Sequence, residues 1–476
     1  MTSARPFWLA GRPATGEDVL AVRRPYDGSS LGAVWLPTPV QVEEAVAAAA
    51  AARAATAALP AYARAAALDH LSDRIGERAA EIAELITAES GKPLRWARIE
   101  VTRAVSTFRW AAGEARRFSG ELQRLDTDPA AAGRLAVVRR FPYGPVLGIT
   151  PFNFPLNLVA HKVAPAIAAG APIVVKPAPA TPLSALLLGE LLAETELPAG
   201  SWSVLPVPND RMAPLVADPR LPVISFTGSD AVGWQIRAAV PRKHVTLELG
   251  GNAAVLVCAD ADVDFAAGRI ATFANYQAGQ SCISVQRVLV ERPVYEATLA
   301  AIVAAVRALR VGDPADERTD VGPLISVAAA QRVAEWVGEA VQAGARVLVG
   351  GDPDGSSYPP TVLVETPHDA KVSCREVFGP VLTVEPVESV AEGLMRINDS
   401  PYGLQAGVFT RDVTTAFRAH RELEVGGLVI GDVPSYRADQ MPYGGVKESG
   451  TGREGVRYAM EDYTYPRVMV LTGLDL

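Results

Sequence analysis

A chain of 476 residues is long for one hydrophobic core, and at roughly 100–200 residues per domain it indicates two or three domains. Its 45 Lys plus Arg against 53 Asp plus Glu give a formal net charge of −8, which disfavours nonspecific attraction to nucleic acid or anionic membranes. The composition therefore points to a small soluble molecule as the partner.

The start of the chain, MTSARPFWLAGRPATGED, has no apolar core of signal-peptide length, and no stretch approaches about 18 uncharged apolar residues. We therefore expect a cytoplasmic protein that does not span a membrane. The three cysteines, Cys258, Cys282 and Cys374, are too few for a disulfide framework, and no Cys/His cluster suggests a metal site. Reduced thiols and no bound metal are the expectation.

The predicted elements begin with helical patterns at 42–57 and 62–89. Short β-branched runs then alternate with helical segments, at 146–150, 171–177, 201–207, 221–228 and 244–251. A second series follows at 286–291, 345–351, 360–365, 379–387 and 426–431. Strands separated by helices predict right-handed βαβ units, and hence two α/β domains with parallel sheets and a boundary near Gly250.

Two alternating segments, 122–140 and 463–471, belong to neither series. Exposed strands of this kind often pair between subunits, so they suggest oligomerisation.

One segment, Gly450-Thr-Gly452-Arg-Glu-Gly455, matches the dinucleotide fingerprint G-x-G-x-x-G letter for letter. It follows polar VKES instead of a strand, and only 21 residues remain after Gly455, too few for a βαβ unit. A structural turn that opens a helix is the preferred interpretation. The better phosphate-binding candidate is FTGSDAVG (226–233), where a strand leads into a helix predicted to begin at Ser229. By itself that pattern also fits an ordinary strand-to-helix turn.

Four polar residues stand where chemistry is plausible. Lys176 and Glu248 each end an apolar strand, and Asn153 follows another strand between aromatics and prolines. Cys282 lies in NYQAGQSCISVQR, a polar, glycine-punctuated stretch, whereas Cys258 ends an apolar run where a buried filler is expected. Taken singly, each also has an ordinary structural explanation. Lys176 could be a solvated lysine at a strand end, Glu248 a surface carboxylate, and Asn153 the cap of a turn.

Together these motifs resemble the NAD(P)-dependent aldehyde dehydrogenase superfamily, from about Pro25 to the C-terminal strand. Seven landmarks occur in the order of that superfamily: PFNFP, VVKPA, FTGS with Gly233, ELGG, GQSC, EVFGPV and PYGGVKESGTGRE. The spacings agree as well, with 23 residues from Asn153 to Lys176 and 34 from Glu248 to Cys282.

The resemblance implies that Cys282 is the nucleophile, Glu248 the general base, and Asn153 an oxyanion donor together with the backbone N–H of Cys282. An aldehyde would be oxidised to a carboxylic acid through a thiohemiacetal and a thioester on Cys282. The implied cofactor is NAD or NADP. Lys176 would hold the adenosine ribose, Gly228 and Ser229 the pyrophosphate, and Glu376 the nicotinamide ribose, with Phe378 beside the ring. The full implied set is Thr150, Pro151, Phe152, Lys176, Pro179, Gly228, Ser229, Gly233, Leu249, Glu376 and Phe378.

The resemblance also implies a domain plan. Residues 1–121 and 142–250 would form the cofactor-binding domain, and 251–446 the catalytic domain. Residues 122–141 and 462–476 would be oligomerisation strands of a homodimer or homotetramer, and 447–461 a returning helix region.

Cofactor choice and substrate are indicated by single residues. Pro179 stands where many NAD-preferring members have a Glu that repels the NADP 2′-phosphate, so NADP use is plausible. The segment 431–445 resembles the substrate loop of members acting on lactaldehyde and phosphonoacetaldehyde. Within it Arg437, and elsewhere Arg109 on a predicted helix, are candidates to bind a small anionic aldehyde, although each also suits a solvated surface.

Three other functions stay open. A CoA-acylating dehydrogenase would pass the thioester to a thiol and typically lacks the base at Glu248. A thiol esterase without redox function would leave Lys176 and EVFGPV idle. A non-catalytic role would leave Cys282, Glu248 and Asn153 unexplained.

Overall fold

The structure is a computed structural model and describes residues 4–475. Over that range the strands, in chain order, are β1 (Phe7–Leu9), β2 (Arg12–Ala14), β3 (Asp18–Arg23), β4 (Ser30–Leu36), β5 (Glu121–Arg124), β6 (Arg134–Pro142), β7 (Val146–Ile149), β8 (Ile173–Lys176), β9 (Trp202–Val204), β10 (Val223–Thr227), β11 (His244–Glu248), β12 (Ala254–Val257), β13 (Arg287–Glu291), β14 (Arg346–Val349), β15 (Thr361–Val364), β16 (Val381–Val387), β17 (Tyr402–Gly403), β18 (Gln405–Phe409), β19 (Gly427–Ile430), β20 (Val446–Lys447), β21 (Gly450–Thr451) and β22 (Thr464–Thr472). The α-helices are α1 (Pro39–Ala58), α2 (Ala61–Glu77), α3 (Ala79–Ser90), α4 (Leu94–Arg117), α5 (Asn157–Ala169), α6 (Leu183–Leu192), α7 (Ala213–Ala217), α8 (Asp230–Ala239), α9 (Val263–Asn275), α10 (Tyr295–Arg307), α11 (Val327–Gln342), α12 (Lys371–Cys374), α13 (Val390–Asn398), α14 (Val413–Glu422) and α15 (Val456–Asp462).

The first sheet has eight strands in the order β2-β1-β9-β8-β7-β10-β11-β21. Its five central strands, β9, β8, β7, β10 and β11, are parallel. Antiparallel strands, β1 and β21, flank them on the two sides. These five are the first predicted series, which is confirmed. Strands β7 and β8 are buried at every position, which explains why they read as continuous apolar runs.

The second sheet has seven strands in the order β14-β15-β16-β13-β12-β18-β19, and all neighbours are parallel except β14 and β15. The second predicted series supplies five of them, and the predicted α/β class is confirmed. Strand β18 was not predicted, although it is buried throughout. The chain leaves the first sheet after Glu248 and enters the second at Ala254. The division into domains stays a prediction.

The two segments outside these series form a sheet of their own. Strand β6 pairs with β5 on one side and with β22 on the other, both antiparallel. The predicted strands are therefore present and pair with each other within the chain. Pairing between subunits stays a prediction.

The N-terminal part follows local helix signals. Helix α1 begins with a capping box, in which the Thr38 hydroxyl accepts from the Gln41 N–H while the Gln41 side chain accepts from the Thr38 N–H, and Pro39 occupies the first turn. The predicted helical stretch 62–89 is two helices, because α2 ends and α3 begins at Arg78. Strands β1 to β4 were not predicted. Over residues 4–475, no helix combines the length and apolar character needed to cross a membrane.

The strand order of the first sheet reverses between β7 and β10, since β8 and β9 lie on one side of this pair and β11 on the other. At such a point the connections leave in opposite directions and open a crevice at the carboxyl ends of the strands, where ligands bind in open α/β sheets. The next residues after these strands are Thr150 and Gly228.

Candidate active site

A cavity of about 1300 Å³ opens at this crevice and extends to the helices and loops beside the second sheet, which contribute Cys282 and Glu376. Most residues predicted from the sequence line it: Thr150, Pro151, Phe152, Asn153, Lys176, Pro179, Gly228, Ser229, Glu248, Leu249, Cys282, Glu376, Phe378 and Arg437. Gly233 does not line the cavity but lies behind Leu249, which does. A Cβ atom there would stand 2.4 Å from Cδ2 of Leu249, so this glycine lets Leu249 lie flat against α8.

Arg109 does not reach the cavity, so the structure does not support its predicted role in substrate binding. It lies on α4 with its side chain exposed. The same helix lines the cavity through Trp96, Ile99, Glu100 and Arg103. Because residues on a helix are ~100° apart, Arg109 points about 120° away from Arg103. Arg103 is the arginine of α4 at the site, and its sequence position alone did not distinguish it.

Cys282 lies in the loop between α9 and β13, half-buried, with its Sγ 3.1 Å from the hydroxyl of Tyr443. The loop before it is strained, since Gln277 and Ala278 both have positive φ (42° and 56°). Gly279 follows at φ 69°, and a Cβ there would come within 2.1 Å of the Gly379 carbonyl oxygen. This close approach requires glycine and joins the cysteine loop to the EVFGPV loop.

Burial raises the pKa of the Cys282 thiol to about 12. The carboxylates of Glu376 and Glu248 act in the same direction, whereas the Tyr443 hydroxyl and the Arg437 guanidinium favour the thiolate. The other two cysteines are placed differently. Cys258 is buried in an apolar cluster, and Cys374 lies at the end of α12, outside the cavity lining.

Asn153 faces the cysteine loop, because its Nδ2 donates to the carbonyl oxygen of Gln280 at 3.0 Å. An amide nitrogen carries two hydrogens, so the second is left for another acceptor. Within residues 4–475 the backbone N–H of Cys282 also has no hydrogen-bond acceptor. These two donors are suited to stabilise an oxyanion formed beside the sulfur.

The loop that carries Asn153 is fixed by a buried carboxylate. Glu100 accepts from the N–H groups of Leu156 (2.9 Å) and Asn157 (3.1 Å) at the start of α5. The ammonium of Lys92 pairs with the same carboxylate and lies 3.9 Å from the centre of the Phe154 ring. A buried charge that is both paired and hydrogen-bonded holds its surroundings rigidly.

Glu248 ends β11 with 3% of its surface exposed, and neither carboxylate oxygen has a hydrogen-bond partner within the described residues. Burial, together with the nearby negative charge of Glu454, raises its pKa well above the ordinary 4.5. A carboxylate with a raised pKa and no protein donors is suited to accept a proton from water near neutral pH.

Glu454 was missed by sequence reasoning, although it lies in the GTGREG segment. That segment forms β21 on the edge of the first sheet and leads into α15, so it is the structural turn that we predicted. Glu454 is 2% exposed and accepts from Lys162 at 3.2 Å and from Arg437 at 2.9 Å. These two cations keep the pKa of Glu454 low in spite of burial, so Glu454 stays charged and its negative charge opposes the ionisation of Glu248.

The whole chain is similar to known enzymes. The model of the aldehyde dehydrogenase family matches residues 12–469. The chain belongs to the aldehyde dehydrogenase family. It is 42% identical to 3-sulfolactaldehyde dehydrogenase of Priestia megaterium, over 98% of this chain and 97% of that protein.

Two solved structures show the same architecture. One is aldehyde dehydrogenase 21 from Physcomitrella patens in complex with the reaction product succinate, with 42% identity, a TM-score of 0.98, and coverage of 100% of this chain and 99% of that one. The other is glyceraldehyde-3-phosphate dehydrogenase GapN from Methanocaldococcus jannaschii complexed with NADP, with 35% identity, a TM-score of 0.92, and coverage of 96% and 100%. This aldehyde dehydrogenase is therefore an NAD(P)-dependent oxidoreductase, as the sequence predicted.

The residues of the crevice fit a nicotinamide dinucleotide. Lys176 ends β8 at the cavity and donates to Asn209, and burial lowers the pKa of its ammonium to about 8. At the other end Glu376 accepts from the Gly251 N–H at 3.0 Å, and a Cβ on Gly250 would collide with its carboxylate at 2.5 Å. Phe378 has a positive φ of 48° and packs edge-on against Phe152. Such strain in a non-glycine residue is typical of a ligand contact.

Proposed function

We propose that Cys282 is the nucleophile of this aldehyde dehydrogenase, Glu248 its general base, and Asn153 with the Cys282 backbone N–H its oxyanion donors. Cys282, Glu248 and Asn153 line one cavity. Within the described residues the Glu248 oxygens, the Cys282 N–H and one hydrogen of the Asn153 amide lack a hydrogen-bond partner, as their proposed roles need. Once the thiol has released its proton to solvent, the Cys282 thiolate would bond to the carbonyl carbon, and the carbonyl oxygen would take the negative charge within reach of the two N–H donors.

When it is bound, the dinucleotide supplies the ring that accepts a hydride from the former aldehyde carbon. The carbon is then held to Cys282 as a thioester. Glu248 would remove a proton from water, the resulting hydroxide would add to the thioester carbon, and the C–S bond would break to release the acid and the thiolate. The proposal for the cofactor is that Lys176 binds the adenosine ribose, Ser229 the pyrophosphate and Glu376 the nicotinamide ribose.

We expect NADP to be used at least as well as NAD. The half-buried Pro179 lies beside the cationic Lys176, where no side-chain carboxylate would repel a 2′-phosphate. Pro179→Glu should lower kcat/KM for NADP at least about tenfold while changing that for NAD much less. Because the pKa of Lys176 is about 8, the ammonium charge and the NADP affinity should both decline above that pH. A wild-type NAD/NADP ratio of kcat/KM well above ten would contradict this.

The substrate that the site supports best is a short aldehyde with an anionic group. The observation that carries this proposal is Arg437, which lines the cavity with its guanidinium 3.9 Å from the centre of the Tyr443 ring, next to the nucleophile. Its single hydrogen bond to a side chain within the described residues goes to Glu454, so most of its five N–H donors lack a partner. Arg103 and Arg269 line the same cavity. The sulfonate, succinate and phosphate named for the similar proteins carry the same kind of charge.

Arg437→Met tests this substrate class. KM for anionic aldehydes should rise about ten- to hundredfold, the expected loss of a charge-assisted hydrogen bond, while KM for a neutral aldehyde of equal length changes about threefold or less. Because Arg437 also contacts Tyr443 and Glu454, kcat should fall for both substrates. The ratio of the two kcat/KM values therefore measures how much Arg437 contributes to binding the anionic group. The control is Arg109→Met, exposed on α4, which should leave both substrates unaffected. Equal losses for charged and neutral aldehydes would refute the role of Arg437.

Assembly and location stay proposals. The outer strand β22 exposes Val468, Met469 and Val470 by about half of their surface (58%, 54% and 49%), and Leu122 on β5 is 69% exposed. An apolar sheet surface of this kind is typical of an interface, so we propose a homodimer or homotetramer built through it. A cytoplasmic location also stays a prediction.

A further inference from the structure

Three sets of contacts, to the backbone, the ring and the hydroxyl, hold Tyr443 in place. Its backbone forms an antiparallel bridge with Glu454, through N–H to oxygen distances of 3.0 and 2.7 Å. The guanidinium of Arg437 lies over one face of the ring, at 3.9 Å from its centre. The side chain is 4% exposed, and its hydroxyl ends 3.1 Å from the Cys282 sulfur. The ring therefore has little freedom to move its hydroxyl away from the nucleophile.

The direction of this hydrogen bond follows from the surroundings. Burial and the nearby negative groups keep the phenol protonated, since the pKa of Tyr443 lies well above the ordinary 10. Over residues 4–475 the hydroxyl has no hydrogen-bond partner other than the sulfur. A thiolate has no proton to donate and can only accept. Once Cys282 is ionised, the phenol is thus the donor.

Few groups nearby favour an ionised sulfur. The carboxylates of Glu376 and Glu248 oppose it, as does the burial of the thiol. Arg437 and Tyr443 favour it, and of these two only the phenol is in hydrogen-bond contact. A cation over the ring face draws electron density from the phenol, which makes its O–H a stronger donor. Arg437 therefore supports the thiolate partly through Tyr443.

We propose that Tyr443 is a catalytic residue, whose hydroxyl donates a hydrogen bond to the Cys282 sulfur whenever that sulfur is negatively charged. This occurs twice in a turnover: before the sulfur bonds to the carbonyl carbon, and again when the thioester C–S bond breaks and the electron pair returns to sulfur. The phenol keeps its proton throughout. The inference uses Cys282 as the nucleophile but is independent of which aldehyde is oxidised.

The test is alkylation of the free enzyme with iodoacetamide from pH 6 to 10, with each cysteine followed by peptide mass spectrometry. Tyr443→Phe removes one oxygen and keeps the ring under Arg437. We expect Cys282 to react at least about tenfold more slowly near pH 7.5, with its pH profile displaced by about one unit to higher pH. Cys374 in the same sample is the internal control and should be unaffected. Tyr458→Phe, half-buried and outside the cavity lining, is the matched control and should behave as wild type.

A melting temperature close to wild type shows that Tyr443→Phe is folded. The proposal is overturned if Cys282 in this variant is alkylated as fast as in the wild type or faster, because the phenol would then be an acceptor or a bystander. A slowing that Cys374 shares would overturn it too, since it would report loosening of the fold. No aldehyde is present, so this result is separate from the test of the substrate class with Arg437→Met.

Discussion

Replacing Cys282 with serine should lower kcat by about 10⁴-fold or more, while binding of the reduced cofactor changes by less than about threefold. A hydroxyl is a far weaker nucleophile than a thiolate near neutral pH, and the ester that it would form is a poorer acyl donor to water than a thioester. The residues proposed to bind the cofactor do not include Cys282, so the cofactor affinity reports that the fold is intact. Turnover is measured at the absorbance of reduced nicotinamide, and binding by its fluorescence.

The matched control for this experiment is Cys374→Ser. Cys374 is half-buried at the end of α12, two residues before Glu376, yet outside the cavity lining. Within residues 4–475 its thiol donates to the Asp369 carbonyl oxygen alone, and a hydroxyl can make the same bond. This variant should keep wild-type kcat. If Cys282→Ser retained more than about a tenth of the activity, the thioester mechanism would be wrong for this enzyme.

The parts of the fold that sequence predicted well are those encoded locally. Strands β8 and β11 are apolar runs closed by one charged residue, Lys176 and Glu248, and both residues lie at the cavity as that pattern indicates. The polar environment of Cys282 likewise separated it from Cys258. By contrast β18 contains Gln405 and a glycine, so its burial follows from its position between β12 and β19 in the sheet.

The residues that sequence could not place depend on contacts between distant segments. Lys162 and Glu454 are 292 positions apart, and they meet because β21 adds an edge strand to the first sheet. Tyr443 reaches Cys282 across 161 positions in the same way. The choice between Arg103 and Arg109 depends on which side of the buried face of α4 packs towards the cavity, and this depends on the contacts of the helix with distant segments.

The second large effect is expected from Glu248→Gln, which removes the group proposed to activate water. The amide is nearly isosteric but does not take a proton, so hydrolysis of the thioester should slow by about 10²- to 10⁴-fold. In the proposed mechanism this base acts only in hydrolysis, so the thioester should still form. One acyl group per chain should therefore accumulate on Cys282 and be detected as a mass increase on its peptide. Glu448→Gln is the control, because this carboxylate is exposed, and it should accumulate no adduct.

The pH dependence distinguishes a base from a merely structural carboxylate. Burial and the charge of Glu454 raise the pKa of Glu248, so at low pH its carboxyl is protonated and unable to accept a proton. The hydrolytic rate of the wild type should accordingly rise with pH, and that rise should be absent in Glu248→Gln. The same experiment addresses a CoA-acylating reaction, in which a thiol replaces water. Wild-type turnover that requires coenzyme A, or a Glu248→Gln variant without an acyl adduct and with normal kcat, would show that Glu248 does not activate water.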